Sequence, residues 1–217
     1  SFIAILSICA NQVALEEGMK LHAIMVESGL GPINITMNAL LNMYGKCGSM
    51  DDTEIMFNKM QNHDLVSWNI MISAYSQNGD VQNVFLMLKK MQVIQLVPDK
   101  ATFVSILSAC SHGGYIEEGW FSLLYMQYRY GLTPSSDHYN CMIDLLGRGG
   151  HLHEAEYLAQ NILLSGKAVL GWLSLLGACK VHGDAQRGLQ AAYFCIELDP
   201  DNTAPYVLCS NMCHIES

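Results

Sequence analysis

The same pattern of polar and apolar residues recurs along this chain at a spacing of 31 to 36 residues. The segment NALLNMYGKCGSMDDTEIMFNKM, from Asn38, aligns with NIMISAYSQNGDVQNVFLMLKKM, from Asn69, at an offset of 31 residues. Further shifts of 35, 36 and about 33 residues carry the aromatic residue, the apolar residues and the glycine of this pattern towards the C-terminus. Self-similarity at such a period indicates an array of stacked repeats, in which each unit packs only against its neighbours.

Each repeat is predicted to be a pair of antiparallel helices. In the unit at 65–99, apolar residues of the first helix follow the i, i+3, i+4, i+7 spacing of one helix face: Trp68, Met71, Ile72 and Tyr75. The second helix has its own apolar set: Val84, Phe85, Leu88 and Met91. Glycine, which permits the left-handed conformation that ends a helix, occupies all five comparable turns: Gly48, Gly79, Gly114, Gly150 and Gly183. We therefore expect an all-α, right-handed α-solenoid of helix-turn-helix repeats, with about ten to twelve helices.

Composition limits the class of protein. The chain is 51% hydrophobic and 14% charged, which excludes a disordered chain. No apolar run approaches the roughly 18 to 20 residues of a membrane span, so no membrane insertion is expected. The net charge of −9 argues against nucleic-acid binding, although a narrow basic stripe can lie on an acidic body. Because the chain opens SFIAILSICA without Met, we interpret it as a fragment of a longer protein, with any targeting peptide outside it.

The eight cysteines do not form a metal-binding pattern, since no CxxC pair occurs. Three of them recur at one repeat position, which Tyr or Leu fills in the other repeats: Cys9, Cys110 and Cys179. A position that accepts Cys, Tyr and Leu is a packing position, so we expect buried free thiols and a reducing compartment. The HLHE segment at 151–154 lacks a partner cysteine pair, and neither a metal nor another cofactor is expected.

Several long segments resemble the pentatricopeptide repeat family, in the plant class with alternating standard, long and short repeats. The segments LVSWNIMISAYSQNG, TFVSILSACSHGGYIEEG and HYNCMIDLLGRGGHLHEAE resemble its repeats. The segments WLSLLGACKVHGDAQRG and ELDPDNTAPYVLCSNM resemble the E-type extension that follows such arrays. The resemblance implies a long-type repeat without its start, a short repeat, a standard repeat, a long repeat, a terminal short repeat and a truncated E-type extension: 1–33, 34–64, 65–99, 100–135, 136–168 and 169–217.

The resemblance implies sequence-specific binding of single-stranded RNA in a mitochondrion or plastid, with the mitochondrion preferred. In this family about one base is read per repeat, by the fifth and last residues of the repeat. These pairs are Asn38 with Asp64, and Asn69 with Asp99. An Asn amide offers a donor and an acceptor to a base edge, and an Asp carboxylate can fix its orientation. In the family this pair favours uracil, so the two repeats are expected to read adjacent uracils from one groove.

The family also implies contacts to the base face and to phosphate. Ile35 and Val66 match the aliphatic position that packs on a base, and Lys46 and Arg148 match a position that often faces phosphate. The other repeats depart at these positions, with Ala101 and Asp137 at the first, and Gln77 and His112 at the second. Phosphate contacts are therefore expected to be few.

Three repeats depart from the Asn–Asp pair. The long repeats carry Ile3 with Ile33, and Val104 with Ser135, so we interpret them as spacers or weak readers. Asn140 matches the reading position, but Lys167 or Ala168 stands where Asp is usual, which leaves its base choice open.

The resemblance favours the specificity module of a C-to-U RNA editing factor, whose E region could recruit editing-complex proteins. Alternatives are a role in organellar splicing, RNA stability or translation, or a tetratricopeptide-like scaffold that binds proteins. The deaminase set of HxE with PCxxC does not occur in these 217 residues, so we expect the chain not to be an enzyme. A deaminase could lie downstream or act in trans. No small-molecule substrate is expected.

Overall fold

The computed structural model describes residues 2–29, 33–161 and 168–213, and within these ranges every regular element is a helix. Thirteen helices follow one another there: α1 Phe2–Gln12, α2 Leu15–Glu27, α3 Asn34–Lys46, α4 Met50–Lys59, α5 Leu65–Gln77, α6 Val81–Val93, α7 Lys100–Gly113, α8 Ile116–Tyr130, α9 Ser136–Arg148, α10 Leu152–Asn161, α11 Ala168–His182, α12 Ala185–Leu198 and α13 Ala204–Cys213. The all-α fold is confirmed. There is one helix more than the twelve expected at most, because α13 follows the six helix pairs.

Helix ends are set by local chemistry. The side chains of Asp64, Asp80 and Asp184 each accept the backbone N–H three residues on, which satisfies a donor that the first helical turn leaves unpaired. The five predicted turn glycines have φ between +73° and +79°, the left-handed conformation that ends the first helix of each pair. The sequence pattern therefore located these turns correctly.

Residues 1–109 form one compact part. Its first helices pack in succession, α1 on α3 and α3 on α5, and each also packs on the second helix of its own pair. Leu41, Met71 and Ile72 are fully buried between these helices. Phe85 departs from the predicted apolar face, because it is only partly buried, whereas Met87 is 5% exposed.

Residues 110–217 form the second compact part. Here α9 packs on α10 and α11, and α11 also packs on α12 and α13. Trp172 is fully buried and its ring stacks on Phe194 with centroids 4.3 Å apart. Met142 and Ile143 on α9 are also fully buried. Within this part, the pair α9–α10 is thus covered by the next pair, as a stacked array requires.

The recurring cysteine position lies in the core. Cys9 is 5% exposed, and Cys110 and Cys179 are fully buried, in agreement with the predicted packing role. Burial raises the pKa of the Cys110 thiol to about 12, which keeps that thiol protonated at neutral pH. Within the described ranges, no helix combines the length and apolar character needed to cross a bilayer.

Neighbouring first helices approach one another closely at small residues. A Cβ built on Gly45 of α3 would lie 2.7 Å from Cβ of Ala74 on α5. Real Cβ atoms do not approach so closely, and both positions lie inside helices that cannot shift without disturbing the surrounding core. Gly45 is therefore required by helix packing, whereas Gly177 inside α11 has open space beside it.

The Gly45→Ala variant is expected to unfold at a lower temperature, because the added methyl group overpacks the α3–α5 contact by about 1–3 kcal/mol. Gly177→Ala is the matched control, since it makes the same change in a first helix with nothing within 4 Å. That control should stabilise its helix by up to about 1 kcal/mol. Thermal unfolding followed by circular dichroism measures both, and equal effects would contradict the packing argument.

Candidate nucleic-acid interface

Asn38 and Asp64 are brought together where α3 meets the start of α5. Asn38 Nδ2 donates to Asp64 Oδ1 at 3.3 Å, and the hydroxyl of Ser67 lies 2.9 Å from Asn38 Oδ1. The same hydroxyl lies 2.9 Å from Asp64 Oδ1, so its single proton can serve either oxygen. Asn38 is partly exposed, and its amide plane is held at both ends.

Asn69 and Asp99 repeat this arrangement one unit later. Asn69 Nδ2 donates to Asp99 Oδ1 at 3.1 Å, and Thr102 Oγ1 donates to Asn69 Oδ1 at 2.6 Å. The Thr102 hydroxyl is also 2.9 Å from Asp99 Oδ1. Two consecutive repeats therefore contain the same triad of an Asn, an Asp and a hydroxyl residue.

Sequence reasoning missed the two hydroxyl residues. Ser67 and Thr102 are fully buried, and each follows its Asp by three residues. The Asp-x-x-Ser/Thr spacing in DLVS and DKAT was available as a signal, because it is typical of a helix start where an Asp caps the first turn. What it did not show is that the hydroxyl also reaches the Asn of the preceding helix.

Both aspartates serve two structural purposes. Asp64 accepts the backbone N–H of Ser67 at 2.9 Å, and Asp99 accepts that of Thr102 at 2.9 Å, so each caps the next first helix while holding its Asn. An Asp at this position is therefore explained in part by capping alone. The additional hydrogen bond from the preceding Asn is what makes the position suitable for orienting a recognition side chain.

Hydrogen bonding keeps these carboxylates ionised. The Ser67 backbone N–H is the largest cause of the lowered pKa of Asp64, with further contributions from the Ser67 hydroxyl and Asn38. Partial burial works to raise the pKa of Asp99, but the N–H and hydroxyl of Thr102, together with Asn69, outweigh it and hold the pKa below its ordinary value. A depressed folded-state pKa stabilises the fold above the unfolded pKa of 3.8, and this stabilisation is lost only as pH falls through the lower folded value.

The proposed base-packing residues are exposed aliphatic side chains. Ile35 is 66% exposed and Val66 is 55% exposed. Ile35 precedes Asn38 by three residues, and Val66 precedes Asn69 by three, so each lies beside its amide on the same helix face. An apolar side chain left in water next to a held amide is a suitable surface for the face of a ring.

The two proposed phosphate-facing cations have different surroundings. Lys46 Nζ donates to Asn11 Oδ1 at 2.9 Å and has no acidic partner among the described residues. Arg148 Nε donates to Asp144 Oδ2 at 3.0 Å, and that same oxygen accepts the Ser111 hydroxyl at 2.5 Å. Arg148 is therefore in an ion pair with Asp144, whereas Lys46 has no ionic partner among the described residues.

In the part of the chain that the structure describes, the departing repeats form no triad. Ile3 and Val104 offer no polar side-chain atom for readout. The amide atoms of Asn140 are inaccessible to solvent and have no hydrogen-bond partner in the part of the chain that the structure describes. Its two candidate partners are Lys167 and Ala168. Lys167 lies outside the described residues, and so does the side chain of Ala168.

The HLHE segment has an ordinary explanation. His151 Nδ1 lies 3.8 Å from Glu154 Oε1 at the start of α10, with both side chains about half exposed. Among the described residues, no three His, Cys, Asp or Glu side chains are grouped so that they could hold a metal ion.

These features define a helical-repeat protein in which consecutive units present an oriented Asn. Comparison of structures agrees with this class. The crystal structure of the pentatricopeptide repeat protein PPR10 from maize has a TM-score of 0.64 at 18% identity, over 99% of this chain and 36% of that chain. PPR10 in complex with an 18-nt psaJ RNA element has a TM-score of 0.65 at 17% identity, over 99% and 37%. At this identity the likeness concerns the fold, and it confirms the helical-repeat solenoid.

Sequence comparison then specifies the repeat. The "PPR repeat family" pattern matches residues 63–112, and the "PPR repeat" pattern matches 35–65 and 137–166. A pentatricopeptide repeat-containing protein of Arabidopsis thaliana is 37% identical over 212 residues, which are 98% of this chain and 29% of the relative. The Arabidopsis pentatricopeptide repeat-containing protein CRR2, chloroplastic, is 36% identical over 213 residues, 98% and 32% respectively. The chain therefore contains pentatricopeptide repeats and is homologous to pentatricopeptide repeat proteins. It spans about a third of the length of these relatives.

Replacing Thr102 by Val is expected to shift unfolding to lower denaturant, because it removes the buried hydroxyl that donates to Asn69 Oδ1 and accepts the Asp99 backbone N–H, at a cost of about 1–3 kcal/mol. Thr36→Val is the matched control. Thr36 has the same position in its repeat, but the preceding reading position holds Ile3, which has no amide to orient. Urea titration of both variants measures the difference, and equal midpoints would show that the hydroxyl does not support Asn69.

Proposed function

We propose that this chain binds single-stranded RNA in a sequence-specific manner, in an organelle, with one base addressed by each repeat that carries an Asn–Asp pair. The observation that carries the proposal is the triad found twice, around Asn38 and around Asn69. In each, the amide is held by a carboxylate and a hydroxyl, while the Asn side chain stays partly exposed. A held amide loses little conformational freedom on binding, and its orientation decides which base edge it can pair with.

The surroundings of the triads support RNA as the ligand. Ile35 and Val66 provide exposed apolar surface beside the two amides, and Lys46 provides a cation without an acidic partner among the described residues. The whole chain carries −9, so electrostatic attraction is local and weak. Recognition of bases, more than attraction of phosphates, is therefore expected to provide the specificity.

Within this function, we favour the specificity module of a C-to-U editing factor. The C-terminal segments that resemble an E-type extension support this role, as does the interpretation of 136–168 as a terminal short repeat. In the editing branch of the family, that repeat aligns four nucleotides upstream of the edited cytidine. Two and three repeats further back, Asn69 and Asn38 are then expected to read uracils six and seven nucleotides upstream.

Catalysis is not assigned to these residues. The chain contributes binding and register, and a deaminase would lie downstream or act in trans, with the E region as a recruiting surface. The resemblance supports an organelle, and the name of CRR2 places that relative in the chloroplast. We retain mitochondrion or plastid as the proposed location.

A protein-binding scaffold is the second candidate, and the net charge of −9 favours it. On α8, Phe121 is 63% exposed, Leu124 is 46% exposed and Tyr128 is 87% exposed, at the spacing of one helix face. The two candidates predict different ligands for the same array, so a direct binding assay separates them.

Changing Asn69 to Thr is expected to move the preferred base at the nearer position from uracil to guanine, since Thr with Asp is the family's guanine pair. The change in discrimination should be about 1–3 kcal/mol. The measurement is a titration of the full-length protein against RNAs that vary at the two proposed uracils.

Lys46→Ala is the contrasting control for this experiment. It should weaken all RNAs alike and reduce the salt dependence by about one phosphate contact. If Asn69→Thr binds RNA with an unchanged base ranking, the one-base-per-repeat reading is wrong. If the protein does not bind RNA but binds another protein, the scaffold function replaces the proposed RNA binding.

The uracil preference is expected to stay constant between about pH 8 and pH 5. Asp64 and Asp99 have lowered pKa values, so both remain ionised and continue to hold their Asn partners throughout this range. Binding of uracil-containing and substituted RNAs, measured at several pH values, tests this. A ranking that collapses near pH 6 would indicate that a titrating histidine controls recognition instead.

A further inference from the structure

Equivalent clefts lie between neighbouring first helices in the two parts of the chain, and they differ greatly in size. Between α3 and α5, residues such as Asn42, Gly45 and Lys46 line a space of about 10 Å³. Between α9 and α11, their counterparts Asp144, Gly147 and Arg148 line a cleft of about 380 Å³. The second volume lies in the range of small-molecule sites, roughly 300–1,000 Å³.

Two residue differences explain the larger cleft. Where α5 has Ile70 and Ser73, α11 has Ser174 and Gly177, each smaller than its counterpart. Gly177 has no atom within 4 Å of the position where a Cβ would lie. The two clefts share one further feature, which is a side chain that contacts a backbone carbonyl at one end of the cleft. Asn78 donates to the carbonyl of Gly45 at 3.3 Å, as His182 Nε2 contacts that of Gly147 at 3.0 Å.

The lining of the larger cleft suits a neutral ring with polar edges. Leu173 and Val181 provide apolar walls, and Val181 is 80% exposed. The polar side chains are the Asp144 carboxylate, the Arg148 guanidinium, the Ser174 hydroxyl and the His182 imidazole, whose Nε2 already contacts the Gly147 carbonyl. Arg148 and Asp144 compensate each other's charge, so an anion would gain little there. A carboxylate accepts from a base amino or imino group and a guanidinium donates to ring nitrogen or carbonyl oxygen, which are the edge groups of a nucleobase.

We propose that the cleft between α9 and α11 binds one nucleobase of the RNA, at a site that contains no Asn–Asp pair. Leu173 and Val181 contact the ring, and Asp144 and Arg148 contact its edge. Leu173 has the same register on α11 as Asn69 on α5 and Asn140 on α9, so the cleft opens on the helix face that carries the reading positions. The inference rests on the proposed RNA binding and adds a site that the family's pairing rule does not include.

The test closes the cleft with the residues that the array already uses elsewhere. The double variant Ser174→Ile with Gly177→Ser gives α11 the α5 residues at these positions, and Leu189→Ala, at an exposed residue of α12 that does not line the cleft, is the control. The full-length protein is titrated with an RNA carrying the two uracils and with a series in which each nucleotide in turn lacks its base. For the wild type and for Leu189→Ala, one abasic position outside the two uracils should weaken binding roughly fivefold, the size of a weak base contact.

In the double variant, that abasic position should have no further effect, whereas abasic sites at the two uracils should still weaken binding. If every abasic position affects the double variant and the wild type alike, the cleft holds no base, and the proposed RNA binding stands without it. A methylphosphonate removes the charge of a single phosphate. If this substitution, and no abasic position, weakens binding of the wild type but not of the double variant, the cleft binds the RNA backbone and the base assignment is overturned. If the wild type binds no RNA, both proposals fail.

A second variant protects the test against misfolding. Asp144→Asn keeps an oxygen acceptor for Ser111 and Arg148 while it removes the carboxylate charge offered to the base. It should reduce the effect of the same abasic position, with unchanged helicity by circular dichroism. An undiminished effect in this variant would overturn the assignment of Asp144 to the base edge.

Discussion

The structure depends on one constraint, which is that a single pair of helices cannot bury the apolar faces of both. Within each part, first helices therefore pack on one another as well as on their own partners, α1 on α3 and α3 on α5 in one part, and α9 on α11 in the other. Close approach at Gly45 and Ala74 is part of this packing. Because stacking repeats the same geometry, positions of equal register lie on equivalent faces of successive first helices. In the proposed RNA binding, this equivalence allows a linear series of side chains to contact a linear ligand.

Stacking also joins stability to recognition. Asp64 belongs to one unit by sequence, but it caps the first helix of the next unit and accepts a hydrogen bond from Asn38. Asp99 has the same relation to Asn69 and to the start of α7. The orientation of each amide is therefore maintained by the helix start that follows it. In the proposed RNA binding, a disturbance of the stacking would alter base recognition even if neither the Asn nor the Asp were changed.

The array is not uniform, and its differences have physical consequences. Lys46 keeps its charge, whereas its counterpart Arg148 is paired with Asp144. The small residues Ser174 and Gly177 open a cleft that Ile70 and Ser73 fill at the equivalent place. Small changes at equal positions thus convert a packed contact into a candidate binding site, without altering the helices that carry it.

The sequence by itself determined the helix pairs, the glycine turns and the location of the Asn–Asp pairs, because these depend on local spacing and on a period that repeats. Only the tertiary structure showed that Ser67 and Thr102 complete the triads, that Asp144 accepts the Ser111 hydroxyl, and that α9 and α11 enclose a cleft. Each of these depends on distances between residues about 30 apart in sequence, on neighbouring helices. Periodicity states which face a residue occupies, but it does not state which atoms of the next repeat lie within hydrogen-bonding distance, or how much space two adjacent helices leave between them.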